Sequence, residues 1–325
     1  MSDNIPRTTR EDLELINNRV IERVSENPSL EELFFRRCSL EGIDFSPLRR
    51  LKNLKHIVIA NITPLTALPY LLSNVPNLEN LAFSDASPFS TGLLREIASL
   101  ESLTDLFIEY CSGFAETSLM PLGSCATLKK LSLIGLEMTS IDFESTARLA
   151  NLEKISLKNN RITSCDLGPL AQNRSLRKLT LNQNKIEALD LTPLSSCRML
   201  NDLSLMSNRL TEIDLTPLAQ CDMTEFVAAR NQLQRVDLTP LGECANLESI
   251  LLFDNRLDNI DLSPLSKCKN LRHIDIADNR LKSIDLTPLS GCHGLKVLRL
   301  NDNPIRELDT SAIDSLESLT DFEPP

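Results

Sequence analysis

A leucine returns every 23 to 25 residues along this chain, and that period limits the possible folds more than any other feature. Aligned on the string LxxLxLxxN, the units begin at Leu30, Leu54, Leu78, Leu103, Leu128, Leu152, Leu176, Leu200, Met223, Leu247, Leu271, Leu295 and Leu319. That makes twelve full units and the start of a thirteenth. A unit this short cannot bury its own apolar face, so it is stable only when stacked on its neighbours. A length of 325 residues would by itself suggest two globular domains. The repeat overrides that expectation and predicts one continuous solenoid.

Three units carry the template: LNDLSLMSNRLTEIDLTPLAQC, LESILLFDNRLDNIDLSPLSKC and LRHIDIADNRLKSIDLTPLSGC. The LxL core alternates inward and outward, as a short half-buried strand does. Asn160, Asn184, Asn208, Asn231, Asn255, Asn279 and Asn303 then fall where the chain leaves the strand. A column of amides there can satisfy backbone groups shut off from water. In the second half of the unit, Thr192, Thr216, Thr239 and Thr287 suit an N-cap, and the prolines after them suit the first helical position. One short 3₁₀ or α turn per unit is expected. With 42% hydrophobic but 4% aromatic residues and no Trp, the core must be aliphatic.

From Leu30 to the C-terminus this pattern resembles the leucine-rich-repeat superfamily. The run I-D-L-T-P-L-x-x-C-x-N-L is most similar to internalin-like repeats and to those of phosphatase-1 regulatory subunits, although the units here are about two residues longer. The resemblance implies an α/β solenoid: a right-handed curved superhelix with a parallel β-sheet on a concave, ligand-binding face and short 3₁₀ or α turns on the convex side. It implies no particular ligand.

Residues 1–29 read as an N-terminal capping segment with a helix over 8–26. Thr8 and Glu11 fit a capping box, and Leu13, Ile16, Val20 and Val24 share a helical face. A rival reading takes LELINNRV as a short degenerate repeat. Residues 30–151 hold five divergent repeats, with Cys38, Ile62, Ala86, Cys111 and Leu136 at the Asn position. These are either drift within the solenoid or a specialised binding segment. Residues 152–325 hold seven regular repeats and a C-terminal partial one.

The chain carries 45 acidic and 34 basic residues, a net charge of -11. A phosphate-tracking protein usually has a basic stripe and a high pI, so nucleic acid and anionic membrane are not expected partners. No stretch approaches the roughly 18 apolar residues of a membrane span. The first 25 residues lack a continuous apolar segment, and nine cysteines then point to reduced thiols in the cytoplasm. Nucleophilic catalysis wants a base beside the nucleophile, yet His56, His273 and His293 lie on distant units. No glycine-rich phosphate loop occurs. Cys125, Cys197, Cys221, Cys244, Cys268 and Cys292 share one repeat position, but a straight column cannot converge on a tetrahedral metal. The chain is therefore expected to be no enzyme and to hold no cofactor or metal. Asp190, Asp214, Asp237, Asp261, Asp285 and Asp309 form a second column, expected to cap turns locally.

Function is expected on the concave face. Its outward positions are mostly polar, such as Ser156, Lys158, Thr180, Asn182, Ser204 and Asp275. Against them stand Met206, Val227, Ala229, Leu251 and Phe253 on three successive units, with Arg209, Arg230, Asp254 and Arg256 around them. Phe107, Tyr110 and Ile134 make a smaller group. Apolar side chains on a polar strand surface mark a contact site for a protein partner. The reading is a monomeric interaction module. Its alternatives are a regulator of a phosphatase or small GTPase, suggested by the resemblance, and a surface adhesin or secreted effector.

Overall fold

The computed structural model describes residues 10–13, 16–115 and 117–325. They form two compact units. The first holds residues up to 138 together with 144–160, and the second holds 139–143 with 161–325.

In the first unit, strands β1 (Arg10–Leu13), β2 (Glu32–Arg36), β3 (His56–Ala60), β4 (Asn80–Ser84), β5 (Asp105–Glu109), β6 (Lys130–Ile134) and β7 (Lys154–Ser156) follow one another. Each pairs in parallel with the next. Between strands the chain returns through helices α1 (Asn18–Ser25), α2 (Leu68–Leu72) and α3 (Thr91–Ala98), or through 3₁₀ turns such as Ser46–Arg50 and Met120–Ser124. In the second unit, β8 (Lys178–Thr180), β9 (Asp202–Ser204), β10 (Glu225–Val227), β11 (Ser249–Leu251), β12 (His273–Asp275), β13 (Val297–Arg299) and β14 (Asp321–Glu323) pair in the same way, joined mainly by 3₁₀ turns. The register places Leu203, Phe226, Ile250, Ile274 and Leu298 side by side, and all are buried. This row, repeated at each ladder position, is the aliphatic core the period predicted.

Strand length differs with the residue at the Asn position. Strands β2 to β6, whose units carry Cys38, Ile62, Ala86, Cys111 or Leu136 there, are five residues long, whereas β7 to β13 are three. Where the amide is present, it adds side-chain bonds at the turn, while backbone pairing continues beyond the strand, as in Leu205 N to Val227 O and Ser207 N to Ala229 O. Asn208 Oδ1 accepts from Ile186 N at 3.1 Å, and its Nδ2 donates to Leu181 O and Leu205 O at 2.9 Å. Asn255 repeats the pattern with Leu233 N, Ala228 O and Leu252 O, all at 3.0 Å.

The turns depart from the expected capping. None of the expected Thr residues caps with its side chain; the 3₁₀ turn begins at Thr192, Thr216 and Thr287, with Pro after it, and at Leu241 in the unit of Thr239. The caps are the preceding aspartates: Asp190, Asp214, Asp237 and Asp285 each accept from the Thr backbone N–H two residues on, at 2.8–2.9 Å. Hydrogen bonds from the same Thr, side chain first and then backbone, hold these carboxyls below their ordinary range. The aspartates are ionised and locally anchored, which offsets their mutual repulsion.

The N-terminal helix is also shorter than expected. Arg10–Leu13 is a strand, and the helix starts at Asn18, with Asn17 Oδ1 accepting from Arg19 N and Val20 N. Thr8 lies outside the described residues. Glu11, expected in a capping box, is ion-paired with Arg23 at 3.0 Å. The strand wins because Leu13 is aligned with Phe35 and completes the core row that β2 would otherwise expose. A degenerate repeat does begin here, two residues earlier than the LELINNRV alignment placed it.

Gly242 allows close packing between successive turns of the second unit. A Cβ there would lie 2.6 Å from Pro264 O and 2.9 Å from Pro264 Cβ. Gly242→Ala should therefore cost about 1–3 kcal/mol through overpacking, read as a lower denaturation midpoint. An unchanged midpoint would mean that the Pro264 turn moves aside freely.

Candidate functional site

On each strand the core leucines face inward, so the residues between them and just after them form the opposite, outward face. In the second unit Val227 is in register with Ser204 on one side and Leu251 on the other. Two residues further along, Met206, Ala229 and Phe253 occupy equivalent positions. Met206, Leu251 and Phe253 are half-buried. Val227 and Ala229, expected to be exposed, are not: they retain 6% and 0% of their surface. Parallel strands stand only about 4.8 Å apart, so Ala229 loses its water between the longer Met206 and Phe253, and Val227 is covered from the side of Leu251. The apolar residues that reach water on this face are thus Met206, Leu251 and Phe253, beside buried Val227 and Ala229.

Arg209, Arg230, Asp254 and Arg256 are exposed. The Arg230 guanidinium lies 5.7 Å from the centre of the Phe253 ring and 3.9 Å from the Asp254 carboxylate. Arg230 and Asp254 both have left-handed backbones, φ 55° and 54°, as does the same position in most other repeats. That turn swings the side chain to the lip of the strand face.

The opposite lip holds a group that sequence reading missed. Asp202 and Glu225 are directly in register on β9 and β10. Lys178 pairs with Asp202 Oδ2, while Asp202 Oδ1 is buried without a hydrogen-bond partner. Burial, with the Asp202 charge adding to it, pushes the Glu225 carboxyl up. Both residues lie two places after the start of their repeats, Leu200 and Met223; comparing that position along the column would have found them.

In the first unit Phe107 is half-buried, between Ala82 and Ser132 in register. Tyr110 is 53% exposed. Its ring lies against Gly135, where an added Cβ would come within 2.5 Å of it. Ile134 is half-buried beside them. Sequence reading missed that Phe107 ends a register row with Phe34, Val58 and Ala82, all half-buried. The signal was the apolar residue between the two ladder leucines in each of these repeats, masked by their divergence elsewhere.

A sequence model described as leucine rich repeat matches residues 150–210, 245–305 and 269–323. Among solved structures, the chain is 25% identical to the internalin inlF of Listeria monocytogenes, with TM-score 0.71, covering 97% of this chain and 86% of that one. The chain is a leucine-rich-repeat protein with internalin-like repeats. The internalin inlC2 of Listeria monocytogenes is 27% identical over 63% of this leucine-rich-repeat protein and 83% of its own chain, with TM-score 0.51. The protein in a TLR13–ssRNA13 complex shares the fold, at 22% identity and TM-score 0.74, over 92% of this chain and 44% of that one. No curated protein sequence matches. Among the described residues no helix is long and apolar enough to cross a membrane.

The cysteine column of this leucine-rich-repeat protein is structural in its geometry. Cys197, Cys221, Cys244, Cys268 and Cys292 are buried free thiols, each donating to a leucine carbonyl of the preceding turn at 3.4–3.7 Å. Burial pushes Cys197 and Cys268 up to about 11 and Cys221 up to about 12, from an ordinary 9.0. Two units of pKa lower the thiolate fraction about 100-fold. Native-state alkylation should therefore be at least about 100-fold slower than in denaturant. Fast labelling of the column in the folded protein would refute its burial. Because the folded thiols ionise later than unfolded ones, their contribution is complete below about pH 9 and is lost as pH climbs towards 12.

Proposed function

We propose that this protein is a non-enzymatic interaction module that binds a protein partner on the outward face of its strands, around Met206, Leu251 and Phe253. The observation that carries this reading is the set of bulky apolar side chains Met206, Leu251 and Phe253, held on the two repeats that flank buried Val227 and Ala229, on an otherwise polar strand face with Arg209, Arg230, Asp254 and Arg256 around them. An apolar centre within a polar rim is the usual anatomy of a binding surface. Phe107 and Tyr110 support a second contact area on the first unit. The excess of carboxylates over cations supports a protein rather than a nucleic acid as partner. Nine cysteines, seven of them buried free thiols, support a reducing, cytoplasmic setting. Replacing Leu251 and Phe253 by serine tests the reading, with partner capture compared against the stability of the variant.

A further inference from the structure

The reading above leaves the chemistry of the partner open, and the surroundings of the patch restrict it. Along β9, β10 and β11 the cations Arg209, Arg230 and Arg256 stand at the end where the strands turn off, whereas Asp202, Glu225 and Glu248 stand at the end where the strands begin. The neighbouring cations are already committed. Lys178 is held by Asp202, and Arg272 lies 3.7 Å from Glu248. Arg230 is engaged with Phe253 and Asp254. The Asp202–Glu225 pair is thus served by a single lysine, which reaches Asp202 from the side away from Glu225: Lys178 is in register with Asp202 on β8, and Glu225 on β10. Two carboxylates on adjacent strands in a half-buried position repel each other unless a further cation joins them. Glu225 carries the mark of this strain, its carboxyl pushed up by burial and by Asp202. The missing cation would sit close to the apolar centre. Side chains two residues apart on a strand lie about 6.6 Å from one another on one face; Val227 stands at that remove from Glu225, and Leu251 lies diagonal to Glu225 on the next strand, about 7–8 Å away.

We infer that the partner segment is basic: it sets a lysine or arginine between Asp202 and Glu225 and a bulky apolar side chain on Leu251 and Phe253. This rests on the proposed function of the same patch. In an extended segment the two side chains would be two positions apart, which puts them on one side of the strand.

The inference is tested with two seven-residue peptides, acetylated and amidated, alike except at one position. One has the order Gly-Ser-Lys-Gly-Leu-Ser-Gly, and the other has Glu in place of Lys. Each is titrated to millimolar concentration into the full chain while the methyl resonances of Val227 and Leu251 are followed by NMR. The lysine peptide should move these methyls at least about 10-fold more tightly than the glutamate peptide. The double variant Asp202→Asn with Glu225→Gln, which keeps side-chain shape, should remove that difference while both peptides still move the methyls. Thermal melting checks that the variant is folded. Equal movement by both peptides on the unaltered protein would overturn the basic preference and leave the patch as a docking site. No movement by either would overturn the patch reading together with it. A charge preference surviving in the variant would place the cation elsewhere and overturn the assignment to Asp202 and Glu225.

Discussion

Asn231→Leu is expected to lower the unfolding free energy by about 3 kcal/mol, the largest effect of any single change proposed for this chain. The side chain is buried and makes four hydrogen bonds. Its Oδ1 accepts from Leu210 N at 3.0 Å, and its Nδ2 donates to Leu205 O and Ala228 O at 3.0 Å and to Ala229 O at 3.2 Å. Leucine is close in size, so little of the loss would come from a cavity. What it lacks is any polar atom, which leaves the buried Leu210 N–H without its acceptor, while each of the three carbonyls keeps one other donor, from Asn208, Asn255 and Ser207 N. A buried N–H left unsatisfied costs about 1–3 kcal/mol, and the three weakened carbonyls place the loss at the upper end. Urea denaturation of the two proteins reads the difference directly. An unchanged midpoint would mean that these backbone groups find other partners, and that the amide column does not hold the turn.

Leu251→Ser combined with Phe253→Ser should weaken capture of the partner by about 1–4 kcal/mol while costing the fold no more than about 1 kcal/mol. Both residues stand on the outward strand face and are half-buried, so truncation removes contact surface rather than core. Loss of the Phe253 ring also frees the Arg230 guanidinium that lies over it. Val227 marks the contrast. At 6% exposure, Val227→Ser should lower stability as well as binding, and so does not report on the interface alone. Arg256→Glu, at the exposed lip, should mainly slow association, and more so at low salt. A double variant that unfolds would place Leu251 and Phe253 in the core and refute the patch. Undiminished capture by a folded variant would move the site, with the row ending at Phe107 and Tyr110 next in line.

The period of the leucines determined the repeat, the parallel strands and the buried ladder, because each follows from local spacing: a residue two places along a strand faces the same way wherever the strand lies. It also placed the amides of Asn208, Asn231 and Asn255 at the turn and the cysteine column in the core. Tertiary structure decided the rest. Whether a side chain on the strand face meets water depends on the two strands beside it, so Val227 and Ala229, outward by register, lie buried beside Leu251, Met206 and Phe253. Arg10–Leu13 became a strand rather than the first turn of a helix because β2 offers it an open edge and an apolar row to complete, a gain that no helical periodicity within residues 8–26 encodes. The Asp202–Glu225 pair, 23 residues apart in the chain, likewise exists as a charge imbalance only once β9 and β10 lie side by side.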